Sequence, residues 1–194
     1  MNTNRVIFWD FDGTLGYRSG GWTGTLHEIL VAYDPLSPIT VEDLRPFLQS
    51  VYPWHTPEVA HPELSDAERW WEHLLPTFVR AYRGLGVEET AAEELASKFR
   101  SRYLDPAGWI LYPDVLPTVS ALTRRGWRHR IITNHVPEFP FILSSLGLSD
   151  LFDHVTNSAE IGYEKPHPEI FRLALEAAGN PTSAWMVGVS KPVR

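Results

Sequence analysis

Val6-Ile7-Phe8-Trp9-Asp10-Phe11-Asp12-Gly13-Thr14-Leu15 is the stretch that decides the fold. Val6 to Trp9 form an unbroken apolar run of β-favouring residues bounded by an acidic turn, which reads as a strand buried on both faces and therefore as part of a parallel sheet. In an open parallel sheet ligands sit at the carboxyl ends of the strands, so Asp10 and Asp12 fall where a site would be. Gly13 permits the tight, non-standard turn that follows. Two ionised carboxylates held about 4 Å apart repel by roughly 4 kcal/mol at an effective dielectric of 20. A fold tolerates such a pair only with a cation nearby or a proton on one group. Carboxylates needed only for solubility or capping could sit where they repel less.

Downstream of Gly16 the character changes. Ser19-Gly20-Gly21 reads as a flexible turn, and most of the next ninety or so residues show helical periodicity. Leu26, Ile29, Leu30 and Tyr33 share one face, as do Val41, Leu44, Leu48 and Val51. Trp71, Leu74, Leu75, Phe78 and Tyr82 make a stronger stripe, in which Pro76 is expected to start a new helix or kink this one. Val87, Ala91, Leu95, Phe99 and Tyr103 recur every four positions and predict one helix from about Val87 to Tyr103. These segments together predict a small helical module.

From Tyr112 strands and helices alternate. Helices are expected near Asp114 to Arg125, after Pro137 up to Gly147, and from Pro168 to Gly179-Asn180-Pro181. Strands are expected through Arg130-Ile131-Ile132-Thr133, around His154-Val155-Thr156, and through Trp185-Met186-Val187. Short connections between such units imply an α/β fold, a Rossmann-like doubly wound parallel sheet whose first strand is separated from the rest by the helical insert.

Bulk properties narrow the function classes. The chain has 194 residues, 43% of them apolar and 21% charged, the balance of an ordinary folded protein. A net charge of -7 disfavours nucleic acid or an anionic membrane surface as a partner. Arg124, Arg125, Arg128 and Arg130 form the one basic cluster and read as a helix end and the border of a strand. The absence of cysteine excludes disulfides, thiolate metal sites and cysteine nucleophiles. No signal peptide or spanning helix is legible, which leads to an expected cytoplasmic location.

Two further strand-end signals accompany the acidic pair. Thr133-Asn134 offers a hydroxyl and backbone N–H groups that suit phosphate oxygens, although the same pair often caps a turn. Lys165, in Tyr163-Glu164-Lys165-Pro166-His167-Pro168, precedes a rigid turn that could aim it at an anion; an ordinary loop lysine would simply be solvated.

Together and in this order, Asp10-Phe-Asp12-Gly-Thr, Ile131-Ile-Thr133-Asn134 and Lys165-Pro resemble the first three motifs of the haloacid dehalogenase-like superfamily. The resemblance implies a Rossmann-like catalytic core at 1–16 and 112–194, with a helical cap domain at 17–111. It implies a magnesium-dependent phosphatase acting on a small phosphorylated metabolite. Asp10 would attack phosphorus and form an aspartyl-phosphate, and Asp12 would protonate the leaving oxygen and later activate water. Thr133 and the backbone around Asn134 would hold phosphate oxygens, Gly13 and Thr14 would belong to the binding loop, and Lys165 would offset negative charge. Magnesium would be held by Asp10, by the backbone carbonyl of Asp12 and by an acid of a fourth motif.

At that fourth motif the chain departs from the family. It reads Met186-Val187-Gly188-Val189-Ser190-Lys191-Pro192-Val193-Arg194, with Val189 in the acid's place and no second acid after it. A metal-free site with both aspartates ionised, one lysine and a dianionic phosphate would carry about -3, so the metal is needed more, not less. Weakened magnesium binding and reduced turnover are therefore expected, as in an altered form of a once complete enzyme. Glu164 and Glu169 are conceivable replacement acids. Two other functions remain open: a metal-free haloacid dehalogenase, against which Asp12 argues, and an inactive binding protein on the same scaffold. Arg18, Trp22, Tyr52, Trp54 and His55 lie in Gly- or Pro-rich segments and are the candidates for substrate contact. His135 and His167 show no metal-ligand spacing.

Overall fold

A computed structural model describes residues 4–189, and the acid-free tail Ser190–Arg194 and the start Met1–Thr3 lie outside the described residues. In chain order the elements are β1 (Arg5–Trp9), β2 (Gly16–Arg18), α1 (Gly21–Tyr33), α2 (Val41–Leu44), α3 (Ala67–Gly84), α4 (Glu89–Ser97), α5 (Phe99–Tyr103), β3 (Trp109–Leu111) and α6 (Val115–Thr123). They continue with β4 (Arg128–Thr133), α7 (Phe139–Ser145), β5 (Val155–Asn157), α8 (Ser158–Ile161), α9 (Pro168–Ala177) and β6 (Ser183–Val187).

Four strands pair in the order β5-β4-β1-β6, all parallel, so β1 lies inside the sheet as its unbroken apolar run demands. Its two faces serve two cores. Val6 and Phe8 pack with Ile132, Ile170 and Ala174 beneath α9, while Ile7 and Trp9 join the large core that continues into the helices. Strand β6 forms one edge, and Trp185, Met186 and Val187 stay exposed there because no described strand pairs with their outer side.

The helical segment leaves and re-enters the sheet through a two-stranded antiparallel ribbon. Gly16 pairs with Leu111, Tyr17 with Ile110 and Arg18 with Trp109. That ribbon was not legible as strands in the sequence, because three-residue strands carry too few positions to show a period. Inside the segment, α3 is capped by Asp66, whose carboxylate accepts the Arg69 N–H at 3.1 Å, and it buries Trp70, Trp71, Leu74, Phe78, Ala81 and Tyr82 along one face.

Three expectations about helices need correction. Pro76 neither ends nor divides α3, which continues through it; Pro76 lies on the exposed side, and the buried stripe outweighs one missing backbone bond. The helix expected from Val87 to Tyr103 breaks at Lys98 into α4 and α5, and Phe99 and Tyr103 of α5 stack on Trp22 with ring centroids 5.4 and 4.3 Å apart. The stripe from Val41 to Val51 is one helical turn followed by a 3-10 turn over Arg45–Leu48, with Val51 beyond both. Arg130, expected at the border of a strand, is buried inside β4, whereas Arg128 is exposed and pairs with Asp153 at 2.7 Å.

Candidate active site

The carboxyl ends of β1 and β4 open onto a cleft of about 940 Å³ that the helical segment overhangs. Asp10 follows β1 directly, and its backbone N–H donates to the Val187 carbonyl of β6 at 2.8 Å, which fixes where its side chain starts. Asp10 Oδ1 accepts the Phe11 N–H at 2.7 Å and pairs with Lys165 Nζ at 2.6 Å. Phe11 is wholly buried against Phe139 and Trp109, which anchors the turn between the two aspartates. Asp12 lies on the same wall of the cleft with its carboxylate nearly half exposed.

Lys165 reaches Asp10 because Asn134 holds its loop. The Lys165 N–H donates to Asn134 Oδ1 at 2.7 Å, and Asn134 Nδ2 donates back to the Lys165 carbonyl at 3.0 Å. The ammonium also donates to the Ile132 carbonyl at 2.9 Å, so one cation is fixed by β4 on one side and Asp10 on the other. This ion pair is the cation that the juxtaposed carboxylates require. Asn134, expected to contact substrate, spends its side chain on this clamp.

Other expected site residues stand differently. Thr133 is fully buried, its hydroxyl has no hydrogen-bond partner, and it does not line the cleft. The Gly13 N–H donates to the Gly16 carbonyl and the Thr14 N–H to the Phe11 carbonyl, so these amides close the turn and do not face a ligand. Thr14 keeps a buried hydroxyl without a partner. Gly13 adopts φ 76°, the left-handed conformation that glycine allows without strain.

Arg18 lines the cleft, but its donors are spent within the fold. Its guanidinium is buried and donates to both Glu28 oxygens and to the carbonyls of Ser19, Arg102 and Tyr103, which leaves its donors committed to holding the ribbon against α1 and α5. Trp22, Tyr52, Trp54 and His55 line the same cleft, and the Tyr52 and Trp54 rings stack at 4.6 Å. Burial without a compensating bond pushes the Tyr52 phenol well above its ordinary value and draws His55 below its own.

Tyr103 and His135 also line this cleft. Tyr103 was legible only as a core position of a helical stripe. The signal for His135 was its place directly after Thr133-Asn134 at a strand end. Its imidazole is wholly enclosed by Phe11, Trp109 and Phe139, and that desolvation draws its pKa down to about 3.

Magnesium accepts one or two carboxylates with water and substrate phosphate completing its shell. Asp10 and Asp12, on one wall of the cleft, fit that minimal set. Val189 does not add to it: its Cγ2 stands 3.1 Å from where a Cβ on Gly13 would be, so methyl groups occupy that side. Among the described residues no group of three or more His, Cys, Asp or Glu side chains could hold a metal. Neither replacement acid reaches the cleft. Glu169 is tied to Arg172 at 2.6 Å, and Glu164 is buried near Ser158 with its pKa pushed up to about 7 by desolvation.

A parallel sheet that presents an acidic pair and a fixed lysine at its carboxyl edge defines the class of Rossmann-like hydrolases. A sequence model described as haloacid dehalogenase-like hydrolase matches residues 4–188, and the chain belongs to that family. It is 35% identical over 188 residues to a glyceraldehyde 3-phosphate phosphatase of Methanothermobacter thermautotrophicus, covering 95% of this chain and 76% of the relative. It is 30% identical over 195 residues to a phosphoglycolate phosphatase of Rhodospirillum rubrum, covering 96% and 72%. In fold it is similar to a 2-haloacid dehalogenase of Pseudomonas syringae, with a TM-score of 0.61 at 24% identity over 96% of this chain and 78% of that one. Among the described residues no helix is long and apolar enough to cross a membrane.

Proposed function

We propose that this hydrolase is a phosphatase for a small phosphorylated metabolite and works through an aspartyl-phosphate on Asp10. The observation that carries the reading is the Asp10–Lys165 ion pair at 2.6 Å at the mouth of the cleft, with Asp12 on the same loop. Both bonds to Asp10 fall on Oδ1, so Oδ2 is the oxygen offered for attack. Attack forms the Oδ2–P bond as the bond from phosphorus to the leaving oxygen breaks, and Asp12 gives its proton to that oxygen. Water then attacks phosphorus, its proton returns to Asp12, and inorganic phosphate leaves as the Asp10 carboxylate is restored.

Lys165 offsets the charge that accumulates on the phosphoryl oxygens. The Asp10 carboxylate and the Asp12 backbone carbonyl are the groups that would hold magnesium, which supplies Lewis-acid neutralisation of the phosphoryl oxygens. With Val189 beside them, retention of the ion is expected to be poor. The helical segment at 17–111 acts as the cap, and Trp22, Tyr52, Trp54 and His55 would meet the organic part of the substrate.

Release of phosphate from p-nitrophenyl phosphate with and without magnesium tests the reading, using this chain, Asp10→Asn and Val189→Asp. Magnesium-stimulated release that disappears in Asp10→Asn and rises at least tenfold in Val189→Asp is expected. Turnover of a 2-haloacid without metal and none of the phosphate ester would replace the proposal with dehalogenation. Tight phosphate binding without any phosphorylation of Asp10 would replace it with a binding role.

A further inference from the structure

We propose that His135 is a positioning residue for Asp12, its Nε2–H setting the orientation in which the Asp12 carboxyl exchanges protons with the leaving group. The inference rests on the phosphatase reading above and adds to it a residue outside the three motifs. The tautomer follows from one contact. The Val136 N–H donates to His135 Nδ1 at 2.9 Å, so Nδ1 is an acceptor without a hydrogen, and the ring proton sits on Nε2.

Nε2 is sealed from solvent and has no hydrogen-bond partner, while Asp12 Oδ2 lies 3.7 Å from it. A buried N–H left unanswered costs free energy, and an imidazole carrying one would not persist here without a use for it. The ring cannot turn elsewhere. Phe139 at 4.6 Å, Trp109 at 5.3 Å and Phe11 at 5.8 Å between centroids pack around it, and a flip of the ring would put Cδ2–H in place of Nδ1 and leave the Val136 N–H without its acceptor. The side chain is 1% exposed and that of Asp12 45%, so the imidazole is the enclosed member of the pair and the Asp12 carboxylate the one that faces the cleft. At 3.7 Å the pair is beyond hydrogen-bond length, and a small rotation of the Asp12 carboxylate toward the ring closes the gap. The bond then fixes which way Asp12 faces when an ester is in the cleft.

Two measurements test this on the full chain. Two-bond nitrogen–proton correlation spectra of the histidine-labelled protein read the tautomer without any need for turnover. His135 is expected to carry its proton on Nε2, and Asp12→Ala is expected to displace that signal. Kinetics supply the second readout. His135→Phe keeps a packed ring without a donor, and His135→Gln returns an N–H near the Nε2 position. In His135→Phe, kcat for an alkyl phosphate, whose poor leaving group needs the proton, should fall about tenfold. KM should stay within about twofold, kcat for p-nitrophenyl phosphate should change little, and His135→Gln should recover most of the loss.

A proton on Nδ1, a signal indifferent to Asp12→Ala, or an equal loss on both esters would overturn the proposal. If the unaltered chain hydrolyses neither ester, the phosphatase reading fails, while the spectra still decide whether His135 faces Asp12.

Discussion

At the scale of single residues, Lys165 joins two strand ends through one ammonium, and its removal leaves Asp10 Oδ1 with the Phe11 N–H alone. Lys165→Met is therefore expected to lower kcat/KM for phosphate esters by about 100-fold or more, the scale of losing one preorganised donor to a developing anion. Steady-state phosphate release measures it, and an unchanged kcat/KM would remove Lys165 from the mechanism. Glu164 offers a different test. Its carboxyl is buried, which pushes its pKa from 4.5 up to about 7, with the polar neighbours Ser158 and Lys165 offsetting part of the effect. Between those values the folded chain holds a proton that the unfolded chain has lost, so this group's contribution is fully present below about pH 4.5 and is lost as pH rises through about 7. The difference is on the order of 3 kcal/mol. Glu164→Gln should thus be the more stable protein at pH 8 and converge with the unaltered chain toward pH 4.5, as read from urea midpoints. Asp10 and Asp12 stood out in the sequence because paired carboxylates are costly at a strand end, and Lys165 because it precedes a rigid turn and follows them in the family's motif order. Arg18 looked equally available in a glycine-rich turn, and only Glu28 and the carbonyls of Arg102 and Tyr103, brought in by the fold, show where its donors go.

Helices α3 and α5 show how elements override local preference. Pro76 sits on the exposed side of α3, where its ring forgoes one backbone bond while Trp70, Trp71, Leu74 and Phe78 stay buried. Pro76→Ala should restore that bond and raise stability by about 1 to 3 kcal/mol, measured by thermal or urea unfolding. A loss of stability would show that α3 depends on the proline. The core-side residue Glu138, just ahead of α7, ties two helices of the insert together: it accepts Trp71 Nε1 at 3.0 Å and Arg100 Nε at 2.8 Å, while Arg100 also pairs with Glu68. Periodicity announced α3 because it buries one continuous face, whereas β1 and β4 were legible as apolar runs buried on both faces and α9 from the Pro168 and Gly179 that bound it. It could not announce the break at Lys98, since α4 and α5 keep the same four-residue spacing through it.

For the whole molecule, one core runs without interruption from Ile7 and Trp9 in the sheet to Trp70, Phe78 and Leu95 in the helices. The sequence suggested a core and a cap as separate units, but this continuity predicts a single cooperative transition. Unfolding followed by tryptophan fluorescence and by far-ultraviolet circular dichroism should give coincident curves. Two resolved transitions would show that the helical segment unfolds independently. The amino-acid sequence by itself determined the parallel sheet, the place of the acidic pair at its carboxyl edge and the presence of a helical insert, because apolar runs and periodic stripes are local properties of the chain. Tertiary structure alone decided which side chains meet: Lys165 on Asp10 across 155 positions of chain, Val189 beside Gly13, Arg18 locked on Glu28, and His135 facing Asp12. Those pairings depend on how strands and helices are laid against one another, and no local pattern of residues records that arrangement.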